Sequence, residues 1–248
     1  MSTKHITYIH IFCKQLSIGF TVIQINGLNK SLFGGGHRVN ILNGIDLVIP
    51  SGQFIAITGA SGSGKTTLLS LIAGLDEPTE GNIIINDQDI TKFSEDELAE
   101  LRSQHFGFIF QNFNLIPTLT ALENVTLSAE LNGSNGTQKK STELLSLVGL
   151  ANRNHHYPSQ LSGGEQQRLS LARAFINEPS IVLADEPTGN LDSENSKRIL
   201  DLMSDLHRNK KSTIALVTHE PDVANKAERI IVMDDGKITQ DSLPPLEK

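Results

Sequence analysis

A glycine-rich loop, GASGSGKT at positions 59–66, is the feature that most constrains the fold of this chain. It fits the spacing G-x-x-x-x-G-K-[ST] and lies between an apolar run, FIAIT, and a predicted helix at 66–73. Glycines let successive backbone N–H groups curl around a phosphate, and the helix N-terminus adds a positive dipole end. We expect Lys65 to reach phosphate oxygens and Thr66 to offer its hydroxyl to Mg²⁺. The loop therefore predicts a nucleotide-phosphate site.

A pair of acids follows another apolar run and supplies the residues that such a loop needs as partners. In SIVLADEP, Asp185 ends the run and Glu186 comes next. We expect Asp185 to hold a magnesium ion through water and Glu186 to orient or deprotonate the attacking water. Two adjacent acids are common surface features by themselves, so this assignment depends on the phosphate loop.

Apolar runs and helical periodicity alternate along the chain. Predicted strands are at 22–28, 45–49, 54–58, 82–86, 106–110, 181–184, 213–218 and 229–233. Predicted helices are at 66–73, 95–104, 121–131, 138–148, 164–176, 194–208 and 222–227, the second of them opened by a capping box of Ser94 and Glu97. This alternation predicts an α/β fold with right-handed crossovers and a mostly parallel sheet covered on both faces. Strand signals are weak from 112 to about 160, which predicts a helical insertion.

The two ends of the chain stand apart from this pattern. Residues 1–20 are expected to be a disordered extension, since ITYIHIFC contains His10 and no small-residue cleavage site follows it, which favours an extension over a signal peptide. The domain is predicted over 21–240, with a tail at 241–248. No apolar run reaches the length of a membrane span. The single cysteine, Cys13, excludes an intramolecular disulfide.

The charge balance argues against one class of partner, although it leaves room for local basic patches. The chain has 21 basic and 28 acidic residues, a net charge of −7. A protein that coats nucleic acid needs a basic face, so we expect no nucleic-acid partner.

A second glycine-containing motif, LSGGEQQR at 161–168, distinguishes among phosphate-loop proteins. With GASGSGKTT, Gln111, IVLADE, GNLD and His219 in the same order, the chain resembles the ABC (ATP-binding cassette) ATPases from about residue 22 to 240. The stretches LAGLDEPTEG, FGFIFQNFNLIPTLTALENV and LADEPTGNLDSE are most similar to the lipoprotein-release and macrolide-export group, of LolD, MacB and FtsE types, and above all to the YbbA type. This resemblance implies a RecA-like P-loop NTPase core with an N-terminal antiparallel β subdomain and a helical insertion.

The resemblance also implies roles for individual residues. Catalysis of ATP hydrolysis would rest on Glu186, on His219 at the γ-phosphate, and on Gln111. The metal ligands would be Thr66, Gln111 and Asp185, so the implied cofactors are ATP and Mg²⁺. The residues that bind the nucleotide would be Gly59, Ala60, Ser61, Gly62, Ser63, Gly64, Lys65, Thr66 and Thr67. His155 and His156 are expected to face solvent.

The LSGGEQQR motif implies an assembly of two chains. Ser162, Gly163 and Gly164 at the head of a helix would face the γ-phosphate bound by a second cassette, and Asp192 of GNLD would bridge the two subunits. A Ser-Gly-Gly turn at a helix N-terminus is an anion site in physical terms. Because the chain has one copy of each motif, complete sites need a homodimer.

One position departs from the family pattern. Members usually stack adenine on an aromatic residue in the loop after the first strand, where this chain has Leu32 with Phe33 beside it. Either Phe33 substitutes or the adenine rests on an aliphatic surface.

Two functions remain open from the sequence. The first is the ATP-hydrolysing subunit of an ABC transporter, peripheral on the cytoplasmic face of the bacterial inner membrane and docked on a separate MacB/FtsX-like permease. The second is an FtsE-like regulatory ATPase that controls a membrane partner without moving a substrate. The apolar residues that follow Gln111 would either contact the permease or pack the insertion against the core; they are Phe113, Leu115, Ile116 and Leu119.

Overall fold

The computed structural model describes residues 21–34, 37–133 and 136–242. The chain divides into two units, one formed by residues up to 98 together with those from 213 onward, and one formed by residues 99–212. The predicted extension at 1–20, the loop glycines Gly35 and Gly36, and most of the predicted tail lie outside the described residues.

The first unit contains an antiparallel sheet. Its strands are β1 (Thr21–Gly34), β2 (His37–Pro50), β4 (Glu80–Ile85) and β5 (Gln88–Asp89), in the order β2-β1-β4-β5. The sheet confirms the antiparallel subdomain that the family resemblance implies.

Strands β1 and β2 are much longer than the sequence predicts, and residues 32–34, expected in a loop, belong to β1. Leu32 pairs with Val39 and Phe33 with Arg38. Near its turn, this hairpin is held by backbone pairing of residues that are polar or exposed. The sequence there has no alternation of apolar and polar residues from which a strand could be predicted. Register shifts around Gly27, where φ is +55°, interrupt the pattern further.

The first unit also contains four further strands, of which the buried β3 lies between two others. Strand β3 (Phe54–Thr58) lies between β8 (Thr213–Val217) and β9 (Arg229–Asp234), parallel to both, and β10 (Lys237–Asp241) is antiparallel to β9. Helix α1 (Lys65–Ile72) follows β3, and the short α7 (Pro221–Ala224) follows β8. The helix at 222–227 was therefore predicted too long.

Strand β10 was not predicted, although its turn carries a strong local signal. Asp235 and Gly236 have φ values of +42° and +72°, as a tight β-hairpin turn requires. Asp241, which the sequence places in the tail, ends β10. Its Oδ2 atom forms an ion pair with Nη2 of the buried Arg229 at 2.6 Å.

The second unit combines two parallel strands with helices. Strands β6 (Phe106–Phe110) and β7 (Ile181–Asp185) pair in parallel. The helices are α2 (Glu95–His105), which begins before the boundary at residue 98, and α3 (Ala121–Leu131), α4 (Thr137–Leu147), α5 (Gly163–Phe175) and α6 (Ser193–Lys210). Of the described residues in 112–160, none lies in a strand; this segment holds α3, α4 and the short turns Ala151–Arg153 and Pro158–Gln160.

Helix starts follow their caps closely. Helix α3 has both predicted ends. At its start, Thr120 caps the helix and the Glu123 carboxylate accepts the Thr120 N–H at 2.7 Å. Ser94 and Glu97 form the predicted box before α2. None of the helices in the described part of the chain is long and apolar enough to cross a membrane.

Candidate functional site

The phosphate loop in the first unit connects β3 to α1, and at two of its glycines, Gly59 and Gly64, a side chain would meet neighbouring atoms. At Gly59, φ is +142°, and a Cβ there would overlap the Met233 carbonyl oxygen. At Gly64, φ is +96°, and a Cβ would come within 2.7 Å of the Leu42 side chain. The β9–β10 turn also holds this loop, since the Gly236 N–H donates to the Ser63 carbonyl at 3.2 Å. The loop therefore has a fixed shape set by its neighbours.

Lys65 begins α1, and its ammonium group folds back over the loop. The Nζ atom donates to the carbonyls of Gly59 at 2.9 Å and Ala60 at 2.7 Å. Only 8% of the residue is exposed, whereas Ser61, Gly62 and Thr66 are exposed around it. A buried cation beneath an exposed glycine loop at a helix N-terminus is the donor set that binds a polyphosphate.

His219 belongs to the same unit and is exposed two residues after the end of β8. The residue before it, Thr218, is fully buried, and its hydroxyl accepts the Glu220 N–H at 3.0 Å. The carboxyl end of β8 therefore presents the imidazole from an anchored backbone.

The acidic pair lies at the carboxyl end of β7 in the second unit. Asp185 is the last residue of the strand, and Glu186, with a φ of +45°, begins a tight turn closed by the Gly189 N–H donating to the Glu186 carbonyl at 3.1 Å. Gln167, fully buried on α5, donates to the Pro187 carbonyl at 2.6 Å. This turn is thus tied to the helix that carries the LSGGEQQR motif.

That motif forms the N-terminus of α5. Ser162 caps the helix, and Glu165 completes a capping box by accepting the Ser162 N–H at 2.8 Å. Arg153 donates to the same carboxylate at 2.9 Å. These hydrogen bonds, first from the Ser162 backbone and then from Arg153, lower the pKa of Glu165 to about 2. Ser162 and Gly163 are exposed at the helix end, so the motif presents an anion-binding terminus to solvent.

Gly164 is buried against the start of α6. A Cβ there would come within 2.5 Å of the Asn195 Oδ1 atom. Asn195 is in turn fixed by Asp192, the N-cap of α6, whose carboxylate accepts the Asn195 N–H at 2.9 Å and its Nδ2 at 2.7 Å. These bonds, led by the backbone N–H, lower the pKa of Asp192. The structure thus joins Gly164 to Asp192 through a residue that the sequence did not single out.

Gln111 follows β6 and is exposed. Its carbonyl accepts the Asn190 Nδ2 at 2.9 Å, and a Cβ on Gly189 would lie 2.9 Å from the Gln111 Nε2. Gln111 therefore lies beside the segment between Glu186 and Asp192, within the second unit.

Sequence reasoning missed Gln167, Asn190 and Asn195, which position the predicted residues. Gln167 had a detectable signal, because on α5 it shares a face with Gly164 and the buried Leu171, as an i, i+3, i+7 pattern requires. For Asn190 and Asn195, turn-forming residues next to a helix start, local sequence carries no such signal.

The other predicted positions have simple surroundings. Leu32 and Phe33 are 53% and 82% exposed, so both are accessible for the adenine contact that remains a prediction. His155 is exposed and His156 half-buried. Ile116 is exposed, whereas Phe113, Leu115 and Leu119 are half-buried. Among the described residues, no group of three or more His, Cys, Asp or Glu side chains could hold a metal by itself.

Comparison with known proteins identifies the family. The family model described as ABC transporter matches residues 42–189. The Escherichia coli K12 protein named "Uncharacterized ABC transporter ATP-binding protein YbbA" is 43% identical over 223 residues, which cover 89% of this chain and 98% of that protein. A Rhodopirellula baltica macrolide export ATP-binding/permease protein, MacB, is 45% identical over 225 residues. The chain matches 89% of its own length but only 33% of that relative, so it spans about a third of the MacB proteins.

A solved structure agrees with the sequence comparison. The cassette MJ0796, described as a dimeric post-hydrolysis state bound to ADP and Pi, has a TM-score of 0.83 and 39% identity, covering 89% of this chain and 97% of that one. The predicted family and fold class are confirmed. The phosphate loop, the acidic pair and the LSGGEQQR helix are thus explained together. The chain is a member of the ABC transporter family, an ATP-binding cassette of the ATPase class.

Proposed function

We propose that two copies of this cassette close around ATP and that hydrolysis, by opening them, drives a separate membrane permease. The observation that carries this proposal is the solvent-exposed N-terminus of α5, where Ser162 and Gly163 are open to a ligand. The sequence has one such motif and one phosphate loop. A two-fold pair of chains would complete two equivalent sites, and the related MJ0796 cassette is described as dimeric.

In this proposal the phosphate loop, residues 59–67, binds the β and γ phosphates through its backbone N–H groups and Lys65. The Lys65 ammonium would exchange its bonds to the Gly59 and Ala60 carbonyls for phosphate oxygens. Ser162, Gly163 and Gly164 of the partner chain would bind the γ-phosphate from the other side, with Asp192 at the interface between the chains.

Glu186 acts as the general base in the hydrolysis step. Its carboxylate accepts a proton from water as the water oxygen bonds to the γ-phosphorus and the bond to the β-γ bridging oxygen breaks, releasing ADP and phosphate. His219 would donate a hydrogen bond to the γ-phosphate and so hold it in line. Gln111 would orient the same water.

Magnesium fits the oxygen donors that the chain offers. Thr66, Gln111 and Asp185 supply a hydroxyl, an amide and a carboxylate oxygen, the hard ligands that Mg²⁺ prefers. When bound, the ion neutralises charge on the β and γ oxygens.

The membrane partner is proposed from the relatives. Their names describe YbbA as a transporter ATP-binding protein and MacB as a combined ATP-binding and permease protein. We infer that this cassette works beside a permease at the cytoplasmic face of the inner membrane, with the apolar residues after Gln111 near the contact; they are Phe113, Leu115, Ile116 and Leu119.

The test replaces Glu186 with Gln. Removing the base should lower kcat by about a hundredfold or more, leave ATP affinity nearly unchanged and make an ATP-bound dimer accumulate on size-exclusion chromatography. The matched control is Glu143→Gln, an exposed glutamate on α4, which should hydrolyse ATP at the original rate. Hydrolysis by Glu186→Gln near that rate would refute the assignment.

A further inference from the structure

Arg173, near the C-terminal end of α5, donates hydrogen bonds to a backbone turn that follows Gln111. Its Nη2 donates to the Phe113 carbonyl at 2.9 Å, and its Nη1 donates to the Asn114 carbonyl. The guanidinium is a planar fork that is always charged, so two adjacent carbonyls match its geometry. Burial lowers the pKa of Arg173, which remains protonated at any physiological pH.

The turn that Arg173 grips has an unfavourable backbone conformation. Phe113 and Asn114 have φ values of +59° and +48°, two successive residues in the left-handed region. Asparagine tolerates this region, but phenylalanine is rarely found there. Such a conformation persists only when surrounding contacts hold it, and the two bonds from Arg173 are contacts of this kind.

The same turn lies between the segments that carry the proposed chemistry. Upstream, the Gln111 carbonyl is held by Asn190 at 2.9 Å. Within the turn, the Phe113 ring lies beside Gly163 of the LSGGEQQR motif. A Cβ built on Gly163 would be 4.0 Å from this ring and 3.8 Å from the Leu191 side chain. Gln111 is therefore fixed from one side by Asn190 and from the other by a turn whose shape depends on Arg173.

We propose that Arg173 is a positioning residue for Gln111: its guanidinium holds the left-handed turn at Phe113 and Asn114, and thereby sets the position of Gln111 relative to the LSGGEQQR segment. The inference rests on the role proposed above for Gln111. Arg173 lies outside the motifs named above, on the helix that begins with the LSGGEQQR motif.

Steady-state kinetics of ATP hydrolysis provide the first measurement. Arg173→Met should lower kcat by about tenfold to a hundredfold, the range expected when a reacting group is misplaced by about an ångström, with little change in the KM for MgATP. Arg173→Lys keeps the charge but loses the forked pair of donors, so its kcat should lie between that of the original chain and that of Arg173→Met. The matched control is Arg208→Met, an exposed arginine on α6, which should keep the original kcat.

A backbone rescue distinguishes positioning from general packing. In the Arg173→Met background, Asn114→Gly should recover a large part of the lost kcat, because glycine adopts the left-handed conformation freely. Asn114→Ala should deepen the loss, because alanine resists it. Equal effects of glycine and alanine would overturn the proposal, since a packing role for Arg173 gives no reason for a difference.

A fluorescent reporter tests the turn without relying on activity. The chain has no tryptophan, so Phe113→Trp places a single one in the turn. Adding Arg173→Lys should shift its emission to the red as the ring leaves Gly163, while adding Arg208→Met should not. Unchanged emission in Arg173→Lys, a variant that avoids the risk of misfolding in Arg173→Met, would overturn the proposal.

These results separate the two proposals. If the unmodified chain fails to hydrolyse ATP, or Glu186→Gln hydrolyses it normally, the proposed function fails. If those experiments succeed and the Arg173 variants behave like Arg208→Met, only the positioning role fails.

Discussion

Replacing Glu165 with Ala tests how the LSGGEQQR helix is stabilised. The carboxylate accepts the Ser162 N–H and the Arg153 guanidinium, and its pKa is lowered from 4.5 to about 2. That difference corresponds to about 3 kcal/mol of folding free energy at neutral pH. Because Arg153 is 43% exposed, solvent screening reduces the share of the ion pair. We expect Glu165→Ala to lose about 2 kcal/mol at pH 7, close to a lost cap of ~1 kcal/mol plus a partly buried ion pair.

The pH dependence has a definite sign. A carboxylate whose pKa is lower in the folded state stabilises the protein fully above its unfolded pKa of 4.5, and this stabilisation disappears as the pH falls through about 2. At pH 3 the difference between the original chain and Glu165→Ala should therefore shrink to about half or less of its value at pH 7.

Urea unfolding at pH 7 and at pH 3, followed by far-ultraviolet circular dichroism, measures the free energy of unfolding at each pH from the transition midpoint and slope. Glu165→Gln isolates the charge, since glutamine can still complete a capping box. Glu123→Ala is the matched control, because Glu123 makes the same box on α3 from an exposed position and should cost less. A loss that is equal for Glu165 and Glu123, or independent of pH, would refute the reasoning.

Two further substitutions address the nucleotide loop and the helix contact. Lys65→Ala should weaken ATP binding by at least tenfold, since it removes a charged donor worth about 1.5–3 kcal/mol; isothermal titration calorimetry measures this, and an unchanged affinity would argue against the loop's role. Gly164→Ala should destabilise the fold by about 1–3 kcal/mol, because its methyl group would displace the Asn195 amide; thermal unfolding measures this, and adding Asn195→Ala should restore part of the stability if that contact is the cause.

Local signals predicted much of the fold because each has a direct physical cause. The phosphate loop lies between β3 and α1 as expected, since no residue other than glycine fits at Gly59 and Gly64. Helix α3 has both ends that the helical pattern predicts, and the complete capping box of Thr120 and Glu123 fixes its start. In the second unit, Asp192 caps α6 with bonds to Asn195, so local helix chemistry and the proposed interface role fall on the same side chain.

What local sequence could not reveal depends on residues far apart in the chain. The outer half of the β1–β2 hairpin has no apolar alternation, so its pairing was invisible. Arg173 reads as an ordinary polar position on an amphipathic helix, and only the fold brings it to the Phe113 carbonyl. Strand β10 is a different case, because the Asp235–Gly236 turn before it is itself a local hairpin signal.

The support of the phosphate loop by the β9–β10 turn affects how the protein matures. Ser63 accepts the Gly236 N–H, and the Met233 carbonyl lies against Gly59. Synthesis runs from the N-terminus at about 5–20 residues per second, so the loop emerges from the ribosome well before the turn that supports it. A nascent chain therefore cannot complete the support of this loop until residue 236 has left the ribosome, and we expect it to bind ATP only after that point.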